Sequence, residues 1–343
     1  MEKKKQITFW SISCGVPVIL GILMGIVFNM GKATGIFPVA WMFLPAAGVM
    51  LGQLAVAKDD PDGILPNKGF IYTFLATGIA EILCCILTIF VDNPEVEALG
   101  GLDMMSLVGN GIFMIGSIIC LILVLADKKD RREKYGLSFK KPATSILVIL
   151  LFVVLYFARI FVPAFIEYAI TGEFEDLGIN AGGILNFITL PFMFFLTFLP
   201  YFGEEYGWRH FLQPRLMNKF GKRLGVLILG IIWGLWHLPI NLFFYSPETA
   251  LQSILFQVVG CICFAFYFAW AYKKSELNIW VVTAIHFLNN NMGALFGAGD
   301  GSDNVYTWSV VLLGSLSYIV FLCLPFVFSK VFSSKGEPEK INA

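Results

Sequence analysis

The chain has 343 residues, 57% of them apolar and only 14% charged, with 24 Lys and Arg balanced by 24 Asp and Glu. Its mean hydropathy is +0.77. The charged share is about half of the roughly 25% usual in soluble domains, which excludes a soluble globular body, a disordered chain and a secreted disulfide scaffold. A zero net charge leaves no electrostatic footprint for nucleic acid.

Taken in chain order, apolar blocks cover residues 7–28, 35–56, 69–91, 105–126, 142–166, 182–205, 224–243, 250–271, 278–297 and 305–329. Each is long enough to cross a bilayer as a helix, which needs roughly 20 apolar residues. In lipid the backbone must satisfy its own hydrogen bonds, so helices are the default. The fold class expected is therefore all-α, a polytopic membrane bundle of about ten transmembrane helices. The first block follows Met1-Glu2-Lys3-Lys4-Lys5 but exceeds a signal-peptide h-region and lacks a clear small-x-small cleavage site, so it reads as a retained helix. Cys14, Cys84, Cys85, Cys120, Cys261, Cys263 and Cys323 all lie inside apolar runs without zinc or disulfide spacing, and read as buried packing residues.

Alternating the loops puts all but two of the 24 Lys and Arg on one side: Lys3 to Lys5, Lys58, Lys68, the 128–141 cluster, Arg209 to Arg223, Lys273, Lys274, Lys330, Lys335 and Lys340. The exceptions are Lys32 on the other side and Arg159 within a span. The opposite loops are acidic: Asp92, Glu95 and Glu97, then Glu167, Glu173, Glu175 and Asp176, then Asp300 and Asp303. Cationic loops stay cytoplasmic, so the expectation is an integral, multi-pass protein of a bacterial-type plasma membrane with both termini inside. Residues 1–141 form an N-terminal four-helix region, 142–332 a six-helix region whose core is about 180–297, and 333–343 a cytoplasmic tail. No internal repeat is visible.

Charges at membrane depth are expensive and mark function by default. Glu81 and Arg159 are isolated and read as a structural ion pair. The dense set lies further on. In Gly203-Glu204-Glu205-Tyr206-Gly207-Trp208-Arg209-His210, helical spacing sets Glu205 under Arg209 and turns Glu204 about 100° away. One carboxylate is thus neutralised while its neighbour stays unpaired. Pro200 bends this helix, and Gly203 and Gly207 permit close approach. Trp233-x-x-x-His237 precedes Pro239, which kinks the second helix beside His237. His286 and Asn290 share a face on the third.

No nucleophile motif surrounds a Ser or Cys, and no His-Glu-x-x-His is present. What remains is a Glu and a His able to hold and deprotonate a water, with a second His and an Asn as oxyanion donors. Such a set suits amide hydrolysis by direct water attack. A Glu204, His237, His286 set bound to zinc is the alternative. Either site could take a membrane-associated peptide or protein as its substrate. A non-catalytic immunity or scaffold protein and a proton-coupled transporter are further alternatives.

Glu204-Glu205-x-x-x-Arg209, Trp233-x-x-x-His237 and His286-x-x-x-Asn290, in that order on separate helices, resemble the CPBP family, which comprises the type II CAAX prenyl endopeptidases and the bacteriocin-processing or Abi proteins. The likeness spans about residues 180–297. It implies an intramembrane endopeptidase with Glu204 as base, His237 as its partner on the water, His286 and Asn290 as oxyanion donors, and Glu205 and Arg209 orienting the site. No cofactor is expected, zinc being the exception to test, and the partners are membrane lipids and a membrane-associated substrate. His210 departs from the Gly common in bacterial relatives and reads as inert. One tension remains. His237 lies about 20 Å and His286 about 12 Å from the basic face at 1.5 Å per residue, whereas Glu204 falls near the end of its block. The motifs meet only if that helix continues past Arg209 or a wet cavity opens to the cytoplasm, and both are expected.

Overall fold

A computed structural model describes residues 1–343 apart from 60–62, 97–100, 174–175, 298–300, 334–338 and 340–343. The expected Glu97, Glu175, Asp300, Lys335 and Lys340 lie outside the described residues. The chain is almost wholly helical: α1 Glu2–Asn29, α2 Ile36–Val56, α3 Lys68–Phe90, α4 Met104–Leu125, α5 Pro142–Thr171, α6 Ala181–Thr197, α7 Leu199–Phe220, α8 Lys222–Trp236, α9 Leu238–Tyr245, α10 Ala250–Lys274, α11 Ile279–Asn291 and α12 Trp308–Val327. Among the described residues only a two-residue strand pair, Glu95–Val96 with Leu102–Asp103, interrupts the helices.

The helices start where a polar loop supplies a cap. Asn67 accepts from the Phe70 amide at α3, Asp103 from Ser106 at α4, Asn180 from Gly183 at α6 and Asn278 from Trp280 at α11. Each satisfies an amide that the first helical turn leaves unpaired. Outward faces are apolar: Val18, Ile19 and Ile22 on α1, Ile146, Leu147 and Leu150 on α5, and Leu312 and Leu313 on α12 are all more than half exposed. An unbroken greasy exterior of this size belongs in lipid, and the protein is an integral membrane protein.

Among the described residues, seven helices are long and apolar enough to cross a bilayer, or up to nine if each bent pair is one span. Ten were expected. The block at 278–297 becomes α11, only 13 residues and therefore about 20 Å long, followed by a 3-10 turn over Met292–Phe296. The block at 182–205 does not end at Glu205. It breaks at Phe198, bends by 72°, and continues as α7 to Phe220. Pro200 sits in the first turn of the new helix, where its missing N–H costs nothing. The kink beside Pro239 is present, with α8 and α9 bent by 40° about His237.

Long-range contacts define two ends. At the end bearing the basic loops, Lys4 Nζ donates to the Ala55 carbonyl, Arg215 pairs with Glu2 (2.7 Å), Tyr135 donates to Ile64, and Asn278 to Lys140. At the other end Thr34 donates to the Phe243 carbonyl, Lys32 caps the carbonyls of Thr88, Ile89 and Val91, and the Asp303 and Asn304 amides bond Phe244 and Tyr245.

Helix α7 occupies the centre, with every residue from Phe202 to Pro214 buried. Gly203 and Gly207 press on α2: a Cβ at either position would strike the Met42 carbonyl oxygen or Pro45. The glycines thus permit the expected close approach. The N-terminal region packs directly on the remainder, and Trp236 Nε1 donates to the Ser13 carbonyl (2.8 Å).

Glu81 and Arg159 do not pair. Arg159 lies over the rings of Tyr318 (4.3 Å) and Tyr156 (5.2 Å), while Glu81 is 0% exposed and neither carboxylate oxygen has a hydrogen-bond partner. They stand on α3 and α5, which face different neighbours. An unsatisfied buried acid costs about 1–3 kcal/mol or more. Glu81→Met, of similar volume, is therefore expected to raise the melting temperature of the detergent-solubilised protein. A lowered melting temperature would show that the acid is needed where it stands.

Candidate active site

Glu204, His237, His286 and Asn290 line one cavity of about 560 Å³, together with Tyr201 and Trp233. The three sequence motifs do converge, because α7 runs through the bundle centre and carries Glu204 away from either end. Beyond Glu205 the helix widens into a π-helical stretch, Tyr206–Leu212, a distortion common at functional sites.

Helical spacing between Glu205 and Arg209 survives this widening. Arg209 Nε donates to Glu205 Oε2 at 2.8 Å, with both side chains fully buried. The guanidinium lies over Trp233 (4.7 Å) and Phe268 (5.1 Å). Glu205 Oε1 accepts from His286 Nδ1 at 2.9 Å. The acid thus bridges two cationic or hydrogen-bonding partners and fixes the ring of His286.

Glu204 is not unpaired as expected. Its Oε2 accepts from Trp233 Nε1 at 2.6 Å and from Trp208 Nε1 at 3.3 Å. Both bonds fall on one oxygen, so Oε1 keeps its lone pairs while the indoles hold the group in place. Nothing in the sequence identifies indoles as carboxylate donors, although Trp208 stands at i+4 from Glu204 and Trp233 is the aromatic residue of the second motif.

His237 sits at the break between α8 and α9, with φ −82° and ψ 4°, in the sparsely populated bridge region frequent at active sites. Its Nδ1 bonds the Trp233 carbonyl at 2.8 Å. A carbonyl only accepts, so Nδ1 carries the hydrogen and Nε2 has a free lone pair in the neutral ring. The Trp233 ring centre lies 6.1 Å from that of His237 and 5.6 Å from that of His286.

Asn290 is the most exposed of the set. Its Oδ1 accepts from Asn289, which leaves its own amide hydrogens for another acceptor. Asn291 instead ties the wall together, donating to Tyr201 Oη (2.9 Å) and the Phe287 carbonyl (2.8 Å). Gly35, Pro38, Val39, Met42, Ser106 and Asn110 complete the cavity from the N-terminal region. Sequence reading missed them because small and apolar residues carry no chemical signal. His210 lies outside the site: it stacks on Tyr206 (4.6 Å) and meets Tyr272 Oη at 3.3 Å.

The cavity extends toward one end of the bundle. Its wall includes Gly35, Leu102, Tyr245, Asn289 to Asn291 and Gly301, all at the end opposite the basic loops. Toward the basic end, Tyr206, Arg209, His210 and Gln213 are buried. A separate void of about 10 Å³ beside Arg209, His210 and Gln213 has room for about one water.

The zinc alternative fails its geometric test. Among the described residues no three His, Cys, Asp or Glu side chains are grouped to hold a metal ion. Glu204, His237 and His286 do not fit a metal, and no step is derived through one.

Residues 186–292 match the family described as type II CAAX prenyl endopeptidase Rce1-like. The CAAX prenyl protease 2 of Methanococcus maripaludis is 24% identical over 180 residues, 50% of this chain and 66% of that protein. The matched part is just under two thirds of that relative's length. No solved structure matches the chain.

Proposed function

The likeness to the CPBP family holds on the motifs and on residues 186–292, and from it we propose that the protein is an intramembrane endopeptidase acting on membrane-associated peptides. The observation that carries this reading is the single cavity lined by Glu204, His237 and His286, in which Glu204 Oε1 and the Nε2 atoms of both rings are the unengaged groups.

A water sits between Glu204 Oε1 and His237 Nε2. Glu204 takes a proton as the water oxygen bonds the peptide carbonyl carbon, and the carbonyl π pair moves onto oxygen. The Asn290 amide and His286 Nε2 donate to that oxyanion. For His286 this uses the ring with hydrogens on both nitrogens, Nδ1 on Glu205 and Nε2 on the oxyanion. On collapse the C–N bond breaks and the leaving amine takes the proton held by Glu204. Neither metal nor acyl-enzyme enters the sequence. Both termini are assigned to the cytoplasm, on the loop charges.

The test is cleavage of a peptide library by purified protein beside Glu204→Gln and His237→Ala. Equal cleavage by all three sinks the mechanism. Trp233→Phe is the finer probe. It keeps a ring beside Arg209 but removes the 2.6 Å donor to Glu204. A hydrogen bond to a charged group contributes about 1.5–3 kcal/mol, so kcat is expected to fall at least about tenfold with KM nearly unchanged. An unchanged kcat would show that the indole only packs.

A further inference from the structure

We infer that the hydroxyl of Tyr201 is a third donor to the oxyanion, beside Asn290 and His286. The inference rests on the peptidase reading and adds a catalytic residue to the same cavity.

The first observation is where the hydroxyl is held. Tyr201 and Glu204 stand at i and i+3 on α7, a spacing that sets both on one helix face. Both line the cavity, as do His286 and Asn290. The ring of Tyr201 packs edge-on against His286, with centroids 5.5 Å apart, and against Phe287 at 5.3 Å. Its hydroxyl oxygen accepts from Asn291 Nδ2 at 2.9 Å. His286, Asn290 and Asn291 all belong to α11. The hydroxyl is thus tied to the helix that carries the two other oxyanion donors.

The second observation is what the hydroxyl has left to give. A phenol owns one hydrogen to donate and lone pairs that accept. The Asn291 bond occupies a lone pair, and among the described residues no group accepts the hydrogen. Tyr201 is half-buried, with the cavity beside it. An incoming hydrogen bond polarises a hydroxyl and makes it a stronger donor. The chemistry also calls for such a group. His286 Nδ1 bonds Glu205 at 2.9 Å, so its Nε2 donates only when the ring carries two hydrogens. Tyr201 donates without that condition. A donor fixed in place before charge develops needs no reorganisation at the moment of reaction. As the water oxygen bonds the carbonyl carbon, the π pair moves onto oxygen and the phenol donates to it while keeping its proton. On collapse the pair returns, the C–N bond breaks, and the hydroxyl is unchanged.

The experiment assays the purified full chain and its Tyr201→Phe form on one cleaved peptide, with Glu204→Gln as background. Tyr201→Phe keeps a ring against His286 and Phe287, and Asn291 keeps its bond to the Phe287 carbonyl. The expected result is a fall in kcat of about 10²-fold, the lower end of the loss on removing one such donor, with KM nearly unchanged. A peptide phosphonamidate, which mimics the tetrahedral intermediate, should bind Tyr201→Phe about 10²-fold more weakly than the parent. Fluorinated tyrosines at position 201 change the acidity of the phenol at nearly constant shape. At a pH where each phenol stays protonated, kcat should rise with that acidity, a trend that a packing role would not produce. If Tyr201→Phe does not fold, the fluorinated series carries the test. An unchanged kcat in folded Tyr201→Phe, or no trend across the series, overturns the inference and leaves the peptidase reading standing. Cleavage by the parent no faster than by Glu204→Gln defeats the peptidase reading, and this inference with it.

Discussion

Glu204→Gln is expected to lower kcat/KM by about 10²–10⁴-fold, the range that a positioned general base contributes, while the folded protein persists. The variant is informative because of how Glu204 is held. Trp233 and Trp208 both donate to one oxygen, and the Gln side chain retains a carbonyl oxygen to accept from them. The buried indoles therefore keep their partner, and no cavity is created. Only the ability to take a proton from water disappears. The check pairs a peptidase assay with thermal unfolding in detergent. Loss of activity together with a collapse in melting temperature would mean that Glu204 is structural. Undiminished activity with normal folding would remove it from the chemistry altogether.

How much of this was legible beforehand differs from residue to residue. The helical class followed from hydropathy, because lipid permits few other forms. The Glu205–Arg209 pair followed from spacing alone and forms at 2.8 Å. The kink at His237 followed from Pro239. Other features escaped for physical reasons. The break at Phe198 lies two residues before Pro200, and hydropathy runs through it unchanged, so one apolar block conceals two helices bent by 72°. α11 was counted as a full span because the polar cavity wall and the turn after Asn291 look, by composition, like the rest of a helix. Glu81 and Arg159 read as a pair because both are isolated charges in apolar spans, but isolation carries no azimuth. The full lining of the cavity could not be read from the motif residues, because small residues such as Gly35 and Gly293 carry no chemical signal.

The largest stability effect is expected at Glu205 and Arg209. Both side chains are fully buried, so Arg209→Met leaves a carboxylate facing only His286, and Glu205→Leu leaves a guanidinium whose Nη1 and Nη2 already lack partners. Breaking a buried pair by removing one member costs about 3–5 kcal/mol, and each single variant should lose about that much in denaturant or thermal unfolding. The double variant removes both charges and fills the space with apolar side chains, and such replacements are often neutral or stabilising. It should therefore recover most of the lost stability. Activity should not follow. Glu205 also accepts from His286 Nδ1 at 2.9 Å, so the double variant leaves that ring without its anchor and the oxyanion without a fixed donor, and kcat should remain at least about 10²-fold below the parent. Recovery of stability without activity would separate the two roles of this acid, one in neutralising Arg209 and one in aiming His286. If activity returned along with stability, the anchoring role would be wrong and the pair would be a device of folding alone.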